Sequence, residues 1–256
     1  MKTDLATLSY IGGPTVIFEI GGLRFMTDPT LDPAGSIYHL PNHTAEKTEG
    51  PAKIDIGKID IVLLSHDQHK DNLDNAGRLL LNNVSKTYTT VSGAERLKGT
   101  SIGLAPWQRD TIVAPDGTKI IITATPARHG PAGTEKMQGE VIGFILTVQG
   151  GKPLEIYITG DTTYYEGVAE VAKRYNPHYV FIFAGGAKPI GPFFVTMDTN
   201  DAMDTALAFP NSIIIPLHCE GWKHYTQNGM DIKTSYEFIG IEQRLKILEA
   251  GKKINL

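Results

Sequence analysis

Cysteine is almost missing from this 256-residue chain, which holds only Cys219. No internal disulfide can form, so the fold must rest on a buried core, as suits a reducing compartment. An excess of positive charge is missing as well. Twenty-four Lys and Arg against 28 Asp and Glu leave a formal net charge of −4, without the basic field that nucleic-acid or anionic-membrane binding draws on. No apolar run approaches the roughly 18 residues a membrane-spanning helix needs. Met1-Lys2-Thr3-Asp4 lacks the basic and apolar regions of a secretory signal, so a cytoplasmic protein is expected. There is no internal repeat, low-complexity tract or linker, and residues 1–256 are expected to form one domain. A composition that is 41% hydrophobic and 20% charged fits a soluble globular protein with a full core.

Against these absences stands a concentration of ligand-type side chains. Ser65-His66-Asp67-Gln68-His69-Lys70-Asp71-Asn72 follows directly on the apolar run Ile59-Asp60-Ile61-Val62-Leu63-Leu64. His and Asp bind borderline and hard divalent cations, and a strand tip holds them more rigidly than a free loop. The pattern recurs three times. Ile120-Ile121-Ile122 precedes His129, Leu154-Glu155-Ile156-Tyr157-Ile158 precedes Gly160-Asp161-Thr162, and Ile213-Ile214-Ile215 precedes His218. Ligands far apart in sequence that occupy one position on successive strands can converge at one sheet edge.

The order of a His cluster, a single His, Gly-Asp-Thr and Pro-x-His resembles the metallo-β-lactamase fold superfamily, usually binuclear metal hydrolases. The similarity is greatest to the branch of ascorbate-phosphate lactonase and N-acylphosphatidylethanolamine phospholipase D. Tyr10-Ile11-Gly12-Gly13-Pro14-Thr15, Thr27-Asp28-Pro29 and Thr196-Met197 also look like that branch. The resemblance implies an α/β fold, a four-layer αββα sandwich, and hydrolysis of an ester, lactone or phosphoester of a small molecule by metal-activated water. It implies His66, His69 and His129 on a first metal, Asp161 as a bridge, and Asp71 with His218 on a second or looser ion. Zinc is the expected metal, with manganese or iron also compatible with these ligands, and one or two ions per chain.

The chain departs from the superfamily pattern His-x-His-x-Asp-His. Without a gap, Gln68 would stand at a His position and Lys70 at the Asp position. With one extra residue after His66, His69 and Asp71 fill those positions and Asn72 replaces the last His. An amide oxygen is a weaker, neutral ligand better suited to hard cations, which puts the second metal position in question. Asp71, Asp161 and His224 are the expected catalytic residues, and His66, His69, Asp71, Asn72, His129, Asp161 and His218 the expected metal set. The alternative is a binding or regulatory module that keeps the fold with one metal or none.

Other residues have plainer explanations. Asp71 or Asn72 could cap the helix suggested by Leu73, Ala76 and Leu80. Tyr164 and Tyr165 could line the pocket or pack beside Val168 and Val171. Lys70 is expected to be a solvated charge, Lys188 part of a surface turn, and Cys219 a packed thiol. Strands are expected at Leu5–Ile11, Val16–Ile20 and Leu23–Thr27, with Gly21-Gly22 as a hairpin turn. Residues 29–51 read as a long loop, and Ile241, Leu245 and Leu248 suggest a C-terminal amphipathic helix. Loops 29–51, 130–140 and 185–195 are expected to shape the pocket around a small-molecule substrate.

Overall fold

The computed structural model describes residues 6–41, 43–150 and 153–256. The three N-terminal strands form at Thr7–Gly12, Thr15–Ile20 and Leu23–Thr27, each antiparallel to the next. Leu5 lies outside the described residues. Gly21 and Gly22 have φ of 62° and 87°, the pair of left-handed residues that a two-residue hairpin requires.

These strands belong to a seven-stranded mixed sheet in the order Lys253–Asn255, Thr7–Gly12, Thr15–Ile20, Leu23–Thr27, Ile61–Leu63, Lys86–Thr89 and Ser101–Gly103. A six-stranded sheet runs in the order Ile213–Leu217, Tyr179–Phe183, Leu154–Ile158, Ile142–Gln149, Lys119–Pro126 and Arg109–Val113. Strand alternation explains why so many of these segments are apolar throughout. Phe181 and Phe183 point into the core between the sheets, while Val180 and Ile182 pack under the helices on the outer face. Between the sheets, Phe18 stacks on Phe25 at 5.1 Å and meets Phe181 edge-on at 6.5 Å. Helices Glu166–Arg174, Thr199–Ala208 and Gly229–Phe238 cover the six-stranded sheet through Val168, Val171, Ala202, Ala206, Ile232 and Tyr236. On the opposite face, Leu73, Leu81 and Val84 pack over Ile17, Met26 and Val62. The result is the expected α/β four-layer sandwich.

Three local expectations are corrected. Ile241, Leu245 and Leu248 do not form a helix. Gly240 follows the Gly229–Phe238 helix with φ 69°, a 3₁₀ turn covers Glu242–Arg244, and the chain then extends to the edge strand Lys253–Asn255. The helical spacing was incidental, because Leu245 packs in the outer layer and Leu248 between the sheets. Residues 29–51 are not all loop, since Ile37–His39 pairs with Thr44–Glu46 as a short hairpin. The helix after the His cluster spans Asn75–Leu80 and is capped by neither Asp71 nor Asn72. Asp74 accepts from the backbone N–H of Gly77 at 2.8 Å and is the cap. Among the described residues, no helix is long and apolar enough to cross a membrane.

Candidate metal centre

His129, Asp161 and His218 follow strands Lys119–Pro126, Leu154–Ile158 and Ile213–Leu217 of one sheet, whose C-terminal ends share an edge. The turn after Ile61–Leu63 of the other sheet meets them there. Gly160 makes that meeting possible, because a Cβ on it would lie 2.6 Å from Ile142 O and 2.9 Å from Ser65 Cβ. Ile142 also donates its N–H to Ser65 O at 3.2 Å, tying the ends of the two sheets together. The N-terminal motifs brace the same spot. Asp28 Oδ1 accepts the N–H of Ser65 at 2.7 Å, Thr15 Oγ1 donates to Asp28 O at 2.7 Å, and Gly13 O accepts the N–H of His218 at 2.9 Å. Asp28 and His218 adopt φ of 25° and 56°, a backbone strain that non-glycine residues tolerate where the surroundings hold them, often at functional sites.

Within the turn, side chains divide. Asp67 turns away and pairs with Arg96, whereas Lys70 donates to Asn75 Oδ1 at 2.7 Å and lies over the Tyr38 ring. His66 and His69 turn inward, with His66 Nε2 and His69 Nδ1 at 2.9 Å. His129 Nε2 lies 3.1 Å from the same His69 Nδ1 and 3.5 Å from Asp161 Oδ2. These four residues form one cluster, and Asp71, Asp161 and His218 form a second. Asp161 belongs to both. In the second, His218 Nε2 lies 3.0 Å from Asp161 Oδ1 and 3.8 Å from Asp71 Oδ2. Asn72 sits beside it, its Nδ2 3.1 Å from Asp161 Oδ1 and 3.2 Å from His218 Nε2. His224 Nε2 donates to Asp71 Oδ2 at 2.8 Å.

Burial, reinforced by neighbouring imidazoles, drives His66 well below its usual basicity and His129 down to about 3. Burial likewise brings His218 to about 3. These imidazoles are therefore neutral, with lone pairs to offer. The two carboxyls diverge. Burial and the charges of Asp71 and Asp28 push Asp161 up, whereas for Asp71 the nearby His224, His218 and His69 outweigh burial and pull it down.

The clusters open onto a pocket whose walls include Leu40, Pro41 and His43 from the first loop, Met137 and Gln138 from the second, and Ile190 from the third. All three loops expected to shape it do so. Tyr164 and Tyr165 instead pack beside Val168 and Val171. Lys188 stacks over Phe194, and burial pushes the Cys219 thiol up, leaving it without nucleophilic character. Sequence inspection overlooked Gln138 and Tyr225, and it gives no role to His43 of the first loop, which lines the pocket. The Tyr225 hydroxyl contacts His218 Nδ1, and Gln138 is 3% exposed with no partner for its Nε2 among the described residues. Adjacency to His224 was the only sequence cue for Tyr225, and nothing around Gln138 distinguishes it.

The Beta-lactamase superfamily domain matches residues 23–219, and the chain belongs to that family. A metal-dependent hydrolase of Pelotomaculum thermopropionicum is 29% identical over 213 residues, 80% of this chain and 86% of that protein. An isothiocyanate hydrolase from Delia radicum gut bacteria has a TM-score of 0.82 at 21% identity, over 98% of each chain. A possible metal-dependent hydrolase from Veillonella parvula also gives 0.82, at 17% identity over 98% of this chain and 99% of that one. At these identities the two structural likenesses concern the fold.

Proposed function

We propose that the protein is a metal-dependent hydrolase acting on a small, uncharged ester, lactone or comparable acyl compound, with His66, His69, His129 and Asp161 holding the catalytic ion. One observation carries this reading. His129 Nδ1 donates to Val195 O at 2.6 Å, so in the neutral ring its Nε2 is a lone pair. His66 Nε2 and His69 Nδ1 converge on the same point, and a single His69 proton satisfies at most one of its two neighbours. A cation resolves that surplus of acceptors. Zinc–nitrogen bonds of about 2.0–2.1 Å in a tetrahedron separate ligand atoms by roughly 3.3 Å. The separations of 2.9, 3.1 and 3.5 Å bracket that value. Three imidazoles favour zinc, while manganese and iron accept the same donors. Family resemblance assigns Asp71 and His218 to a second ion, with Asp161 between the two.

A divalent ion held by His66, His69, His129 and Asp161 would supply Lewis acidity and lower the pKa of bound water to about 7. Ser65 Oγ, 2.9 Å from His66 Nδ1, and Val195 O orient two of the rings. His224 lines the pocket with Nε2 committed to Asp71, so its buried Nδ1, without a partner among the described residues, keeps the lone pair. Gln138 lines the wall with its Nε2 buried and without a partner among the described residues, a donor that a turn of the side chain would bring to a substrate carbonyl oxygen. Among the described residues lining the pocket none is Lys or Arg, which favours a neutral substrate over a phosphoester.

The test is zinc-saturated protein assayed on matched p-nitrophenyl carboxylic esters, lactones and p-nitrophenyl phosphate, with chelator and metal add-back. Expected is chelator-sensitive turnover of the carboxyl compounds. Turnover of the phosphate alone would overturn the neutral-substrate assignment, and failure to take up any metal would overturn the hydrolase itself.

A further inference from the structure

The cluster of Asp71, Asp161 and His218 resembles a second cation site in its residue types but differs from the tetrad in how its atoms are already engaged. In the tetrad, acceptors face acceptors. In the second cluster the chain brings a hydrogen donor to each inward acceptor, including His218 Nε2 and Asp161 Oδ1, which lie 3.0 Å from each other. Asn72 Nδ2 carries two hydrogens and lies 3.1 Å from Asp161 Oδ1 and 3.2 Å from His218 Nε2, close enough to give one to each. Asp71 Oδ2, the oxygen that faces His218, accepts from His224 Nε2 at 2.8 Å and lies 3.4 Å from the Tyr225 hydroxyl. That hydroxyl also contacts the other nitrogen of His218. With His218 protonated on Nδ1 and donating to Tyr225, and Tyr225 donating to Asp71, the closest acceptor pair left is His218 Nε2 and Asp161 Oδ1 at 3.0 Å, and the two hydrogens of the Asn72 amide bridge it.

Resting on the metal-hydrolase reading, we infer that the chain works with a single ion in the tetrad, and that the Asn72 carboxamide and His224 imidazole occupy the hydrogen-bonding roles of a second cation. Asp71 is then a positioning residue for His224. The same substitution that removes an imidazole from the second site thus supplies the donor that joins Asp161 to His218. The competing arrangement is a turned-over amide. It would bring Asn72 Oδ1, buried and without a partner in its present place, against the acceptors of Asp161 and His218. Only a bound cation would make that favourable.

The experiment is elemental analysis of protein saturated with zinc, and separately with cobalt, then freed of loose metal. The natural protein is expected to retain one equivalent per chain. Asn72→His restores a nitrogen donor and is expected to retain two. Asp71→Asn, nearly identical in shape, is expected to keep its one equivalent while losing turnover, because His224 loses its carboxylate partner. Two tightly held equivalents in the natural protein, loss of metal from Asp71→Asn, or a single equivalent in folded Asn72→His would each overturn the inference. Zero equivalents in the natural protein would be a different failure, that of the metal-hydrolase reading on which this one rests.

Discussion

The two clusters at the mouth of the sandwich share Asp161 and are built from similar residues, yet they differ in the hydrogen donors around them. The first gathers three neutral imidazoles and one carboxylate oxygen with too few hydrogens among them. The second gathers two carboxylates and one imidazole, already supplied with hydrogens by Asn72, His224 and Tyr225. Residue type alone would treat both as metal sites. The separating feature is whether the acceptor atoms have donors from the chain itself, a more direct test of a cation site than a count of histidines.

The sharpest way to break the comparison is through the residue common to both clusters. Asp161→Ala should lose most of its zinc by elemental analysis, and ester turnover should fall to background. Full turnover in that variant would remove the bridge from the mechanism.

A change away from both clusters separates fold from site. Lys47 and Asp74 form an ion pair with side chains 3% and 0% exposed. Lys47→Met leaves a buried carboxylate without its counter-charge and should cost about 3–5 kcal/mol in urea unfolding. The fraction that remains folded should keep its zinc, so a selective loss of metal would show that this pair supports the site itself.

Gln138→Leu should lower kcat/KM by about 10²-fold, the scale of losing one donor to a developing oxyanion, with zinc content unchanged. An unaltered kcat/KM would assign the residue to packing. A smaller effect contrasts the two clusters directly. Ser65→Ala removes the partner of His66 Nδ1 and should weaken zinc binding about 10-fold, whereas Tyr225→Phe, acting on the second cluster, should leave zinc affinity unchanged in a competition titration.

A last comparison concerns acid stability without metal. Burial lowers the pKa of His66, His69, His129 and His218 in the folded chain, while the unfolded chain protonates them near pH 6.5. Burial raises Asp28, Asp161, Glu220 and Asp201, the last to about 6, which works in the opposite sense, while His43 is a fifth imidazole lowered by burial. Unfolding therefore takes up protons at mildly acidic pH, and stability falls as pH drops below about 6.5. Chelator-treated protein should show a falling Tm between pH 7 and pH 5, and a rising one would contradict the assignment.

Much of this fold could be read along the chain because strand periodicity is local. Ile59–Leu64, Leu154–Ile158 and Ile213–Ile215 announced strands, and the ligand-type residue at each tip stands at the shared edge. The register of the His turn was also accessible, since only the version with one extra residue keeps three ligand-type side chains, and Lys70 does turn outward onto Asn75. Helical spacing misled at Ile241, Leu245 and Leu248 because an irregular segment can place apolar residues at similar intervals while feeding different layers. Asp74 took the cap that Asp71 and Asn72 had suggested, since only its carboxylate reaches the Gly77 N–H.

By itself the sequence determined the strands, through alternation and apolar runs, the kinds of donor carried at their tips, and the Asn at position 72. Those are properties of neighbours in the chain. Tertiary structure decided which atoms converge and which already have partners. Asn72 meets His218 across 146 residues and His224 meets Asp71 across 153, and no local period encodes such contacts. Gln138 becomes a buried, unpartnered donor beside the pocket for the same reason. Burial and hydrogen-bond supply are set by the packing of both sheets around the site, so the difference between the two clusters exists only once the chain has closed over them.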